Sequence, residues 1–376
     1  MKVCKIKDIG IIGTGTTPSM KNKEFYDSDD IMFIKPSDFI DNRITELSSS
    51  ISYISNKSRE KARIFPAGTV LCTCIGNIGK IAIVSKEASC NQQNNYIIPY
   101  KEFDSKYVAY SLLSQRKKME SIGANAPIVP IINKTEFSNI EIPVYDSSTQ
   151  IKIAHHLDTI QSAIDNKQQQ LKELDELVKS RFIEMFGENP VESGKWKVMK
   201  LNTISDVRDG THDSPTYCPE GYPFITTKNL IDGSIDFSTA SFICKEDYEL
   251  FDKRSHVDDG DILMPMIGTI GGAILVKKDR EFAIKNVALI KPNEENTNLN
   301  FNFLLYVLNS DFMVNHFNRF KTGGTQKFIS LGFIRELPIP VPPIFLQNQF
   351  ATFVQQIDKS KFVSEQFMDS CYNMIR

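Results

Sequence analysis

The sequence has no apolar run of about twenty residues, so nothing in it reads as a membrane-spanning helix. Its first residues, Met1 to Lys7, intersperse lysines with apolar side chains and lack the apolar core of a signal peptide. A cytoplasmic protein with no membrane partner is therefore expected. The seven cysteines are odd in number and scattered, which fits a reducing compartment and not a disulfide framework. Cys72 and Cys74 lie two apart in a stretch that reads as a strand, Thr69 to Ile75, and so face one side of it; with no second close pair and no nearby histidine they do not suggest zinc. An excess of one charge is missing too, since 44 Lys plus Arg against 46 Asp plus Glu leave a net −2. A chain of this balance binds a polyanion only through local basic clusters or through partners that supply charge. The charge is slightly uneven: residues 1–146 carry 19 Lys plus Arg and 16 Asp plus Glu, a net +3, leaving −5 for the rest. Histidine is scarce, and the neighbours His155 and His156 point to different faces of a helix, which makes them surface positions and not a ligand pair.

What is present is organised around the stretch from Gln150 to about Phe186. Apolar residues recur at Ile153, Leu157, Ile160, Ile164, Leu171, Leu174, Val178, Phe182 and Met185, spacings that place one stripe on one helical face. No proline interrupts it, and Gly187 with Pro190 supplies a stop. At 1.5 Å per residue this is a rod of roughly 50 Å, whose stripe needs a partner. The tail from Phe345 to Ile375 repeats the design with Phe350, Phe353, Val354, Ile357, Phe367, Met368, Cys371, Met374 and Ile375. Ile142-Pro143-Val144 precedes Gln150 as Ile339-Pro340-Val341 precedes Gln347, an offset of 197 in both cases. Each rod thus begins from an extended, proline-containing connector. The simplest arrangement is an antiparallel coiled coil with Leu157, Ile160, Ile164, Leu171, Leu174 and Val178 facing Phe350, Val354, Ile357 and Phe367. The alternative is that each stripe only caps its own domain.

The chain is too long for one ordinary core and contains an internal repeat. Lys2 to Ile6 aligns with Lys197 to Leu201, Gly13 to Pro18 lies opposite Gly210 to Pro215, and Phe33 to Asp38 corresponds to Phe224 to Asn229. Gly68-Thr69-Val70-Leu71 and Ile75-Gly76-Asn77-Ile78-Gly79 align with Gly260-Asp261-Ile262-Leu263 and Ile267-Gly268-Thr269-Ile270-Gly271. The same offset of 192 carries Asn94 onto Asn286 without a gap. One copy reads as an α+β domain rich in short strands: Ile31 to Ile34, Thr69 to Ile75, Ile81 to Val84 and Tyr96 to Pro99 are β-branched or aromatic. A helical stretch follows in each, around Tyr107 to Leu113 and Phe303 to Leu308. The expected plan is a first domain over 1–146, a central helix over 147–187, a second domain over 188–343 and a C-terminal helix over 344–376. The glycines of the Ile-Gly-x-Ile-Gly element serve either a tight turn or a close approach to phosphate.

Two divergent domains, each ending in Ile-Pro-Val and a long helix, resemble the DNA specificity subunit of a type I restriction-modification enzyme. The likeness rests on Gly323-Gly324-Thr325-Gln326-Lys327, Ile329-Ser330, Leu337 to Pro343 and Gln347, with the two glycine elements of the second copy. In the first copy Gly123 to Pro127 replaces the Gly-Gly-Thr-Gln loop, and Thr149 and Leu346 stand where the family often has glutamate. The resemblance implies a non-catalytic reader with two target recognition domains separated and joined by two long antiparallel helices. It implies double-stranded DNA as ligand and two modification (methyltransferase) subunits as partners, with restriction (translocase/nuclease) subunits where the system has them. It implies no cofactor in this chain, S-adenosylmethionine in the modification subunits, and ATP and Mg in restriction subunits. In agreement, the sequence has no Asn/Asp-Pro-Pro-Tyr/Phe methyltransferase motif, no Walker loop and no convincing nuclease carboxylate cluster. The other readings are a stand-alone methyltransferase or nuclease and a coiled-coil protein scaffold that does not read DNA.

Base reading needs side chains with bidentate hydrogen-bonding capacity, Arg or Lys for guanine and Asn or Gln for adenine, whereas phosphate contacts only position the protein. Candidates in the first domain are Lys35, Ser37, Asn77 and the amide-dense Gln92, Gln93 and Asn94, a stretch that reads equally as a solvated hairpin. In the second they are Lys228, Asn229, Thr269, Lys285 and Asn286. Lys321, Thr325, Gln326 and Lys327 lie in a basic, glycine-containing loop suited to the DNA backbone, and Arg116-Lys117-Lys118 gives the first domain a basic patch that reads also as a solvated face. A rod of roughly 50 Å matches about fifteen base pairs at about 3.4 Å each, so a bipartite site with an unread spacer is expected, and the differing candidates predict unlike half-sites.

Overall fold

The computed structural model describes residues 2–124, 128–231, 233–267, 272–293, 298–320 and 328–375. The chain divides into two compact units, one of residues up to Gln170 together with those from Val363 on, the other of Leu171–Phe362. Among the described residues no helix is long and apolar enough to cross a membrane.

Each domain is closed by the segments that flank it. Strand Lys2–Lys5 pairs antiparallel with Glu141–Val144, and Lys197–Lys200 pairs with Pro338–Val341. The prolines in the Ile-Pro-Val segments lack an N–H, which a two-stranded edge pairing tolerates. Inside the first domain a five-stranded sheet runs in the order 10–14, 94–99, 70–73, 81–84, 44–47, and a smaller one in the order 53–54, 31–34, 88–90. The second domain repeats this with 205–209, 287–292, 262–265, 274–275 and with 217–218, 241–243, 222–225, 283–284. In both, the central strand of the smaller sheet, 31–34 or 222–225, pairs parallel with the short strand that precedes the amide-bearing loop.

The core strands are buried on both faces and read as continuous apolar runs for that reason. Val70 and Cys72 join one cluster with Ile81, Ile97, Val108 and Leu112, while Leu71 between them joins another with Phe65, Val84 and Tyr96, the two-residue alternation of a strand. The helical stretches form as 105–114 and 301–309, with Asp104 and Asn300 as N-caps that accept the N–H of Tyr107 and Phe303.

The central helix spans Ser147–Phe186 and the C-terminal helix Ile344–Ile375. In the second unit they run antiparallel: Asp175 pairs with Lys361, and Phe182 and Phe186 pack on Phe350. Both alternatives for the stripes hold in part. Val178 and Phe350 are buried, and Val354 and Ile357 half-buried, in the cluster that also contains Phe303, Val307 and Met313 of the globular domain. In the first unit Ile164 is buried and Ile160 half-buried, whereas Leu157 packs on the first domain's core, which corrects its assignment to the helix pair alone. Leu171 and Leu174 are half-buried. Phe367 is also corrected: it is 44% exposed, and its recorded contact with the central helix is with Lys167, 6.0 Å from its ring. Ser364 and Cys371 take the buried positions there, and Met368 is half-buried, because spacings of three and four residues keep these side chains on one face.

The strand register also corrects the gapless alignment. Thr73 stands opposite Asn94, whereas its counterpart Pro265 stands opposite Val287. Cys90 and Ile284 end the equivalent short strands, opposite Ile34 and Ile225, so the loop that follows has one residue fewer in the second domain, Lys285-Asn286 against Asn91-Gln92-Gln93, and Asn286 takes a positive φ of 55° in the shorter turn.

Candidate nucleic-acid interface

In both domains the first strand of the main sheet leaves through a glycine. A Cβ on Gly15 would lie 2.1 Å from the Asn91 carbonyl oxygen, and one on Gly210 2.4 Å from that of Ile284, so any side chain would push the segment off its neighbour. The next N–H, of Thr16 or Thr211, donates to the carbonyl of Cys90 at 2.9 Å or of Ile284 at 3.1 Å. These bonds place Thr17 and His212 at the same point of the two folds, beside the amide-bearing loops. There the Thr17 hydroxyl donates to Gln92 Oε1 at 2.6 Å, and His212 Nδ1 meets the Asn286 side-chain oxygen at 2.7 Å. The third component is the turn after the central strand of the smaller sheet. The N–H groups of Asn91 and Lys285 donate to the carbonyls of Ile34 and Ile225, which brings the turns Lys35–Asp38 and Thr226–Asn229 alongside.

The structure separates the candidates of the first domain. Gln92 and Gln93 are exposed, as is Ser37. Lys35 is half-buried, with Nζ on Ser52 Oγ at 2.9 Å and 5.7 Å from the Phe33 ring. Asn94 is fully buried and donates to the Ile34 carbonyl at 3.3 Å and to Asn91 Oδ1 at 2.9 Å, so it holds the loop and is not a reading group. Asn77 is exposed but accepts from Arg116 Nη2 at 3.0 Å. Arg116 also grips Asp41, Asn42 and Glu120, and holds the Asp41 carboxyl below its usual range. The Ile-Gly-Asn-Ile-Gly element is therefore tied into a neutralised network, and of the basic patch only Lys117 and Lys118 are exposed.

In the second domain Asn229 is buried, accepts the Thr226 N–H at 3.0 Å and donates to Thr239 and the Asp236 carbonyl. It is a capping residue, which corrects its place among the readers, whereas Lys228 is exposed. Lys285 Nζ donates to the Asp213 carbonyl at 2.9 Å. Asn286 belongs to a chain that runs outward from the fold: Arg254 Nη2 to Asp209 Oδ1 at 2.5 Å, Asp209 Oδ2 to His212 Nε2 at 3.0 Å, and His212 to Asn286. Asp209 and Asn286 thus meet the two ring nitrogens of His212, and the ring's tautomer decides which end of the Asn286 amide faces it. Thr269, Lys321, Thr325, Gln326 and Lys327 lie outside the described residues; Arg319, which precedes the basic loop, is exposed.

Thr17, Asp209, His212 and Arg254 were not among the sequence candidates. For Thr17 and His212 the signal was the pair of glycine segments, Gly13 to Pro18 and Gly210 to Pro215, whose alignment is shifted by two residues once Gly15 and Gly210 coincide; Asp209 and Arg254 lie outside both segments. Among the described residues the ligand-type side chains Asp252, His256 and Glu281 come within 4.8 Å of one another. Each is already engaged, His256 by Asp252 and Asp258, Glu281 by Lys278 and Tyr248, so the three side chains are taken up by hydrogen bonds and by the ion pair of Glu281 with Lys278.

A family model described as the type I restriction modification DNA specificity domain matches residues 1–176 and again 193–366. The type I restriction enzyme MjaIX specificity subunit of Methanocaldococcus jannaschii is 27% identical over 94% of this chain and 86% of its own length. The EcoKI specificity subunit of Escherichia coli is 22% identical over 94% of this chain and 81% of its own. Among solved structures, the S subunit of the Type-I restriction-modification system of M. genitalium aligns with a TM-score of 0.56 at 15% identity, covering 100% of this chain and 93% of that one. A chain from a type I R-M system, solved for its complex assembly and conformational transition, gives 0.64 at 15% identity, covering 100% and 95%. At such identity the structures show a shared fold.

Proposed function

We infer the chain's task from a premise established by the matches to both of its halves: it belongs to the type I restriction-modification DNA specificity family, as the recognition component and not the catalyst. Each globular domain reads one half of a bipartite site on double-stranded DNA, the long helices set the spacing, and two modification subunits dock on them. Those subunits bind S-adenosylmethionine and methylate adenine; restriction subunits, where the system has them, use ATP and Mg. The observation that carries this reading is the repeated platform. The same three backbone segments meet at the same point of both domains but present Thr17, Gln92 and Gln93 in one and His212, Lys285 and Asn286 in the other. Equivalent placement with different hydrogen-bonding groups suits two unlike half-sites. With a net charge of −2, affinity rests on local cations such as Lys117, Lys118, Lys228 and Arg319 and on the partner subunits.

The test is adenine methylation mapping of genomic DNA from cells with and without this chain, in the presence of its modification subunit. A split, asymmetric motif that disappears with the chain is the expected result. A perfect palindrome would remove the unlike half-sites, and an unchanged pattern would leave a scaffold that does not read DNA.

A further inference from the structure

We propose that Gln92 and Asn286 are the amide readers of the two half-sites, each aimed by the residue that stands at the same point of its domain, Thr17 for Gln92 and His212 for Asn286. This rests on the DNA-reading function above and names the groups that perform it. A free amide side chain rotates and presents either end to a base, so it selects nothing until one end is fixed. Here one end is engaged in both domains, Gln92 Oε1 by the Thr17 hydroxyl at 2.6 Å and the Asn286 amide by the His212 ring at 2.7 Å, where the ring's tautomer selects the end. Both bonds lie at the protein surface and close no core.

Packing does not require these pairs. Thr17, Gln92 and His212 are exposed and Asn286 half-buried, and neither pair is conserved in type between the domains. The two loops even differ in length by one residue, yet an amide returns to meet the residue two places after the shared glycine. The buried amide next to them, Asn94, has Val287 as its counterpart and is thus not repeated. Recurrence at the surface without recurrence in the core points to a role toward a ligand. An amide with one end held keeps donor and acceptor capacity for a base edge, and the base such an edge matches is adenine. In the second domain the aim is reinforced from below, because Arg254 and Asp209 hold the far side of the His212 ring. Thr17 and His212 are positioning residues.

The experiment is methylation mapping with the whole chain and its modification subunits, comparing Gln92→Ala, Thr17→Val, Asn286→Ala and His212→Phe with the unaltered chain. Each Ala variant is expected to relax one adenine-containing position of one half-site, the two variants in opposite halves, with discrimination falling roughly tenfold or more. Thr17→Val and His212→Phe should relax the same positions as their partners, more weakly, and Thr17→Ser should restore the original preference. If a variant abolishes methylation altogether, Gln92→Asn and Asn286→Gln replace it, and a changed preference confined to one half-site is expected of them. An unaltered motif in the Gln92 and Asn286 variants, or effects in the same half-site, overturns the proposal while leaving the chain a DNA reader. Methylation that persists unchanged when the chain is deleted overturns the reading function itself.

Discussion

Gln347 accepts the backbone N–H of Asn300 on its side-chain oxygen at 2.9 Å, and its amide nitrogen donates to the carbonyls of Asn298 at 3.0 Å and Pro342 at 2.8 Å. Gln150 repeats this in the first unit with the N–H of Asp104 and the carbonyls of Glu102 and Tyr145. Each buried glutamine stitches the first turn of a long helix to the N-cap of a domain helix, so the rod leaves its domain in a fixed direction. Gln347→Ala strands three backbone groups and is expected to cost about 1–3 kcal/mol in urea unfolding. Gln347→Glu should cost more, since a carboxylate would face two carbonyls. Equal stability of Glu and wild type would remove the anchoring role.

Phe350 and Phe367 are both expected from the sequence on the helix-pair stripe, but the structure buries only Phe350, and the two should behave differently. Phe350 is fully buried among Phe182, Phe186, Phe303 and Tyr306, and Phe350→Ala is expected to cost about 3–5 kcal/mol. Phe367, exposed beside Lys167, should cost under about 1 kcal/mol. Thermal unfolding of both variants checks the ranking.

Asn94→Ala tests stability against specificity. Two side-chain donations are lost, but Asn94 Oδ1 has no partner to lose, so about 1–2 kcal/mol is expected in chemical unfolding. Methylation mapping of the same variant should show the original base preference. A relaxed half-site as strong as that of a Gln92 variant would mean that Asn94 acts in reading.

The Asp41 carboxyl is held below its usual range chiefly by its hydrogen bond to Arg116. A folded-state value below the unfolded one, about 3.9, gives stability that is present above that pH and is lost as pH falls through it toward the folded value. Asp41→Asn should therefore lower stability at neutral pH and flatten the acid dependence just below pH ~4. The effect is held to about 1 kcal/mol because Asp41 is 42% exposed. Parallel acid titrations of unfolding in wild type and variant measure it.

The sequence by itself determined the elements whose cause is local. Periodic apolar residues without proline make the helices 147–186 and 344–375, β-branched runs bounded by glycine or proline make the core strands, and the two proline connectors mark the end of each domain. The repeated order of these elements was enough to indicate two copies of one fold. The tertiary structure decided which polar side chains face outward and what they touch. Within Asn91-Gln92-Gln93-Asn94 the sequence is uniformly polar, yet Gln92 is exposed and Asn94 buried, because Asn94 is the first residue of the strand that pairs with Thr73 and Gln92 lies in the loop before it. Thr17 and Gln92 are 75 residues apart, and His212 and Asn286 74. Such bonds have no sequence period; they exist only where two loops are brought together by the sheet beneath them, and Gln92 and Asn286 arrive because each lies two residues past the end of the equivalent short strand, at Cys90 and Ile284, an equivalence the gapless alignment missed.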